Sequence, residues 1–130
     1  MNEELNMENT KAEILLVEDN QQDAEMTIRA LRRSHIVNDI VHVTNGALAL
    51  DFLFARGSYA GRQIEDLPRL ILLDLKIPKL DGIEVLEKIK SSELTRTIPV
   101  VVLTSSRENP DIERCYKLGV NSYIVKPVEF

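Results

Sequence analysis

Asp74, Glu18 with Asp19, Thr104 and Lys126 each stand directly after a run of apolar residues. The runs are Leu70-Ile71-Leu72-Leu73, Ile14-Leu15-Leu16-Val17, Val100-Val101-Val102-Leu103 and Tyr123-Ile124-Val125. Carboxylates gathered in one place repel one another unless a cation sits between them. Hard oxygen ligands of this kind favour Mg2+ with retained waters over zinc, and magnesium suggests phosphate. Phosphoryl transfer depends on alignment and on neutralising the oxygens of the transferred group, which a metal, a lysine and a hydroxyl can do together. A carboxylate can itself be the nucleophile, and Asp74 is the central candidate because it belongs to the central strand.

Each residue has a plainer reading. Asp19 and Asn20 are ordinary helix caps, Asp74 could turn the chain before Pro78, Thr104-Ser105-Ser106 could be a simple loop and Lys126-Pro127 a simple turn. Their positions favour chemistry: all of them fall at the carboxyl ends of predicted strands, where open α/β sheets place their ligands.

The elements that must hold them follow from periodicity. Short branched apolar runs suit strands buried on both faces, as in a parallel sheet. Strand one covers about Glu13 to Val17, and a helix follows from about Gln21 with Ala24, Ile28 and Leu31 on one face. Ile40 to Val43 is a strand, and Ala47 to about Ala55 a helix. Residues 56–68, with Gly57, Gly61 and Pro68, are expected to form an exposed loop. After the central strand come a helix over about Ile83 to Ser92, with an expected Glu84–Lys88 pair, a fourth strand after Pro99, a helix opened by Asn109-Pro110 and closed by Gly119, and a strand at Ser122 to Val125. Strands alternating with helices predict a doubly wound parallel α/β sheet with right-handed crossovers. Met1 to about Lys11 is polar and acidic and reads as a flexible leader, leaving residues 12–130 as one domain.

Bulk properties exclude several classes. A net charge of −5 without a dense basic stretch argues against direct DNA binding. No apolar run approaches the roughly 20 residues of a membrane span, and the acidic start lacks the basic region of a secretory signal, so the expected address is cytoplasmic. The single cysteine, Cys115, rules out an internal disulfide or a thiolate metal cluster and reads as a small core residue. His35 and His42 belong to no motif and read as surface or strand residues.

With these motifs in place, the chain resembles the receiver domain of two-component response regulators over Ala12 to Val128. The resemblance rests on Ile14-Leu15-Leu16-Val17-Glu18-Asp19-Asn20, on Leu72-Leu73-Asp74 with Pro78-Lys79-Leu80-Asp81-Gly82, on Val102-Leu103-Thr104-Ser105 and on Tyr123-Ile124-Val125-Lys126-Pro127. The long loop after the second helix is similar to that of the single-domain subgroup paired with phytochrome-type histidine kinases. The resemblance implies a flavodoxin-like, five-stranded sheet of order 2-1-3-4-5. It implies that Asp74 accepts a phosphoryl group from a phosphohistidine on a histidine kinase or phosphotransfer protein. Mg2+ would be held by Asp19, Asp74 and the backbone carbonyl of Lys76, with Glu18, standing where an aspartate is usual, acting through water. Lys126 would pair with the phosphoryl group, aimed by a cis peptide before Pro127. Thr104 would move toward its oxygens, and Tyr123 would turn inward, changing the surface offered to a downstream protein.

The family carries a fifth helix after the last strand, and the chain reaches Phe130 without one. Either the chain is a truncated or incompletely observed form, or it covers the exposed sheet face by association, as a homodimer would. Two other functions share the residues. A magnesium-dependent aspartyl-phosphate phosphatase would use Asp74, although such enzymes generally carry a second acid where this chain has Lys76. A receiver fold kept only as a binding module would need a broken acid pocket.

Overall fold

The structure, a computed structural model, describes residues 14–34, 39–77, 79–105 and 110–128. The expected leader and Asn109 lie outside the described residues. Five strands, β1 (Ile14–Val17), β2 (Ile40–Val43), β3 (Leu70–Asp74), β4 (Val100–Thr104) and β5 (Ser122–Val125), form one sheet of order 2-1-3-4-5. Every neighbouring pair is parallel. Between them run α1 (Gln21–Arg33), α2 (Gly46–Leu53), α3 (Gly82–Ser91) and α4 (Asp111–Lys117), with a 3-10 turn at Gly57–Tyr59.

Side chains alternate across a strand, so each apolar run feeds both faces of the sheet. Leu15, Val17, Ile71, Leu73, Val100 and Val102 enter the larger core beneath α2, α3 and Cys115 of α4. Ile14, Leu16, Leu72 and Leu103 face the other way and meet Ala24, Ala30 and Leu31 of α1, together with Val128. Val101 and Ile124, on that second face, are only half-buried.

Caps fix where the helices begin. Asn20 accepts from the Asp23 amide at 2.9 Å, Asn45 from the Leu48 amide at 2.9 Å and Asp81 from the Ile83 amide at 2.7 Å. Pro110 takes the cap position of α4 itself, and Gly119 ends that helix with φ +98°. The second helix stops at Leu53, before the expected Ala55, because Ala55 takes a left-handed φ of 51°. The expected Glu84–Lys88 pair is not among the described ion pairs; α3 is tied instead to α4 by Glu87 and Arg114 at 2.7 Å.

Residues 56–68 are mostly exposed, as expected, but the loop is anchored by a buried side chain. Arg62 is buried, and its guanidinium donates to the backbone carbonyls of Phe52 and Asp66 while lying 4.0 Å over the Phe52 ring. Burial pushes the Arg62 guanidinium below its ordinary pKa, against the opposing pull of Asp66. Tyr59 meets the same ring edge-on at 5.1 Å between centroids. The loop is therefore folded around one cation and packed onto α2.

Candidate functional site

Asp74 ends the central strand in register with Leu103 of β4, while Val17, just before Glu18, pairs with Leu73. The carboxyl ends of β1, β3, β4 and β5 therefore open onto one cleft of about 200 Å³. Asp19, Asp23, Asp74, Lys76, Thr104 and Lys126 all line it. Asp74 is 4% exposed and Glu18 is fully buried, whereas Asp19 and Lys76 reach solvent.

Lys126 gathers the site. Its Nζ donates to Glu18 Oε1 at 3.1 Å, to Asp74 Oδ2 at 3.1 Å and to Asp23 Oδ2 at 3.0 Å. The cis peptide between Lys126 and Pro127 is present, and the Lys126 amide donates to the Thr104 carbonyl at 2.8 Å. The other Asp74 oxygen, Oδ1, accepts from the Lys76 amide at 3.1 Å, and Glu18 Oε2 accepts from the Asn20 amide at 3.3 Å. His42 of β2, a strand residue as expected, places its Nε2 2.7 Å from the Glu18 carbonyl oxygen, which its N–H tautomer can serve.

Charge is tightly balanced here. Burial, followed by the hydrogen bond and negative charge of Asp74, pushes the Glu18 carboxyl up to about 7, against the pull of Lys126. Burial alone would lower the Lys126 pKa, but the carboxylates of Asp23, Asp74 and Glu18 outweigh it and hold the ammonium well above its ordinary value.

Glu18, Asp19 and Asp74 each offer an oxygen, and the three oxygens converge within 4.8 Å. This donor set, all hard oxygens with one buried carboxylate that resists ionising, fits a divalent cation. Two functional neighbours escaped the reading of the sequence. Asp23 gave only the signal of an acid in a first helical turn, and the His42 contact gave none.

Gly82 supports the turn that leaves Asp74. A Cβ there would stand 2.6 Å from the Leu75 Cα and 2.8 Å from the Asp74 carbonyl oxygen, both backbone atoms that cannot swing aside. Gly82→Ala is therefore expected to destabilise the fold by about 1–3 kcal/mol, read as a lower urea midpoint at unchanged slope.

The model of the response regulator receiver domain matches residues 14–130. The chain belongs to that family. A probable methanogenesis regulatory protein of Methanothrix harundinacea, FilR2, is 48% identical over 117 residues, covering 90% of this chain and 73% of that protein. Response regulator Rcp1 of Synechocystis is 42% identical over 113 residues, 87% of this chain and 75% of that one. Among solved structures, the bacteriophytochrome response regulator RtBRR superposes with a TM-score of 0.85 at 52% identity, covering 92% of this chain and 72% of that one. The phosphorylated cyanobacterial phytochrome response regulator RcpA does so with 0.79 at 44%, covering 89% and 81%. The Mn2+-bound form of Rcp1 gives 0.78 at 42%, covering 87% and 79%.

This receiver is thus a two-component phosphoacceptor that works with a kinase, and receivers bind a divalent metal. Among its described residues, no helix is long and apolar enough to cross a membrane.

Proposed function

We propose that the receiver accepts a phosphoryl group on Asp74, in a Mg2+-dependent transfer from a phosphohistidine, and signals through altered protein contacts. The observation that carries this reading is the Asp74 carboxylate itself. It is nearly buried at the end of the central strand, held through Oδ1 by the Lys76 amide and through Oδ2 by Lys126, and it faces the cleft.

A carboxylate oxygen of Asp74 attacks phosphorus, a P–O bond forms, the P–N bond to the donor imidazole breaks, and the leaving nitrogen recovers its electron pair and takes a proton. The receiver supplies alignment and charge: the Lys76 amide fixes the carboxylate and the Lys126 ammonium meets the incoming oxygens. Asp19, Asp74 and the Lys76 carbonyl would hold Mg2+ directly and Glu18 through water. Bound there, Mg2+ supplies positive charge for the carboxylates and the transferred oxygens. The same groups serve hydrolysis of the acyl phosphate, so the receiver catalyses both its loading and its clearing.

Thr104 is buried at the end of β4 and lines the cleft. Its hydroxyl turns toward the phosphoryl oxygens, and the half-buried Tyr123 follows inward. Tyr123 now packs edge-on at 6.3 Å against Tyr116, which is 47% exposed on α4, so its movement changes the surface at α4 and β5. That surface meets the downstream partner. The identity to bacteriophytochrome and phytochrome response regulators supports a phytochrome-type histidine kinase as donor, and a donor of that kind would meet the receiver in the cytoplasm.

The test is intact mass after incubation with acetyl phosphate, with and without Mg2+, followed by peptide mapping. One phosphate adduct on the peptide bearing Asp74, formed only with Mg2+, supports the reading. An adduct elsewhere, or none on folded protein, refutes it.

Glu18 gives the cation a pH dependence. With a carboxyl raised to about 7, the folded chain binds a proton that the cation must displace, so apparent Mg2+ affinity falls as pH drops below about 7. Titration calorimetry at pH 8 and pH 6 is expected to show about tenfold weaker binding at the lower pH, with proton release there. Equal affinities would mean that Glu18 is already ionised or takes no part. In the absence of cation the same group works oppositely on folding. Its folded pKa exceeds its unfolded one, so it destabilises the fold most above pH 7, and that penalty is relieved as pH falls toward 4.5.

A further inference from the structure

Asp23 lies outside the three-oxygen cluster, yet it makes the shortest of the three contacts to Lys126. An acid at this position of a helix ordinarily strengthens the N-terminus, reaching back to the cap amide or resting near the positive end of the helix dipole. Here the cap amide, that of Asn20, is taken by Glu18 Oε2. The Asp23 carboxylate instead crosses the cleft to a lysine 103 residues away in sequence.

Glu18 and Asp74 are asked to serve two cations. Their oxygens receive the Lys126 ammonium and also belong to the cluster that fits a divalent ion. Two positive charges drawing on the same carboxylates compete, and a half-buried ammonium cannot simply be released, because leaving it unpaired beside a dication carries both repulsion and desolvation. Asp23 pairs with the ammonium and, among the described residues, stands outside the group of converging oxygens. Its side chain is 33% exposed, at the cleft mouth, against 0% for Glu18 and 6% for Asp74.

We propose that Asp23 is a positioning residue that retains the Lys126 ammonium when a divalent cation draws on the carboxylates of Glu18, through water, and Asp74, and so sets how readily the cation enters. The proposal rests on the metal reading given above. With Asp23 present, the lysine slides along its existing contact toward the cleft mouth and keeps one carboxylate. Without it, the lysine holds to Glu18 and Asp74 and resists the cation. Asp23 thus helps a cation bind without ligating it, and the whole of its effect passes through Lys126.

A double-mutant cycle on Mg2+ affinity, measured by titration calorimetry at pH 8 on wild type, Asp23→Asn, Lys126→Met and the double variant, tests this directly. Asp23→Asn is expected to weaken Mg2+ about tenfold, and Lys126→Met to tighten it several-fold by removing the competitor. In the Lys126→Met background, Asp23→Asn is expected to change affinity by less than about twofold. Asp23→Glu, which returns the carboxylate, restores most of the loss.

An equal loss from Asp23→Asn in both backgrounds overturns the proposal, because a carboxylate acting directly on the ion weakens binding whether or not the lysine is there. If wild type itself binds no Mg2+, the metal reading fails and takes this proposal with it. Thermal melts of each variant without cation establish folding, and Lys126→Gln provides a second background should Lys126→Met not fold.

Discussion

Asp74→Asn, incubated with acetyl phosphate and Mg2+, is expected to keep its unmodified mass under conditions that load wild type with one phosphate. The amide matches the carboxylate in shape, and its oxygen can still accept from the Lys76 amide, so the end of the central strand stays in place. What disappears is the anionic oxygen that attacks phosphorus. Lys126 loses one of three carboxylates and keeps Glu18 and Asp23, which limits the damage to the fold. Burial still raises Glu18, but removing the Asp74 charge takes away a further contribution to that rise. A folded variant with no adduct is therefore the expected result. An adduct of equal yield would move the acceptor to another cleft carboxylate.

The second large effect is on stability and lies away from the cleft. Phe52→Ala is expected to cost about 4 kcal/mol, visible as a large fall in the urea midpoint. Phe52 is fully buried in the larger core. Its ring also supports the Tyr59 edge and the Arg62 guanidinium, so its removal takes away the apolar floor of the loop between α2 and β3. The backbone carbonyl that accepts from Arg62 survives the substitution, which leaves the buried cation with its hydrogen bonds but without its aromatic face. Limited proteolysis is expected to cut first within residues 56–68. A loss below about 1 kcal/mol would mean that the core collapses around the deletion and the loop does not depend on the ring.

Much of this molecule is legible in its sequence because a buried parallel strand leaves a plain trace. Apolar runs of three or four residues suit strands hidden on both faces of a sheet, and the polar residue that ends each run marks the strand's exit. The positions of Asp74, Glu18, Thr104 and Lys126 at one sheet edge follow from that rule. The Asn20 cap was legible as well, its bond spanning three residues, whereas Asn45 and Asp81 emerge as caps only in the structure. Helix ends were less legible. The backbone of Ala55 turns left-handed against its intrinsic preference, with the Arg56 amide closing onto the Asp51 carbonyl, and no residue type announces that.

The sequence by itself determined the alternation of strands and helices, the acidic cleft and the lysine that answers it, since these depend on local patterns repeated along the chain. Tertiary structure decided which distant groups meet. Arg62 reads as a solvated loop charge until the carbonyls of Phe52 and Asp66 are brought around it. His42 reads as a strand residue until β2 sets it against the Glu18 carbonyl. Asp23 reads as a first-turn acid until α1 and the end of β5 place it 3.0 Å from Lys126. The physical reason is common to all three. Each contact joins a long, rotatable or weakly patterned polar side chain to a partner whose position exists only once the core has packed, and no local periodicity records it.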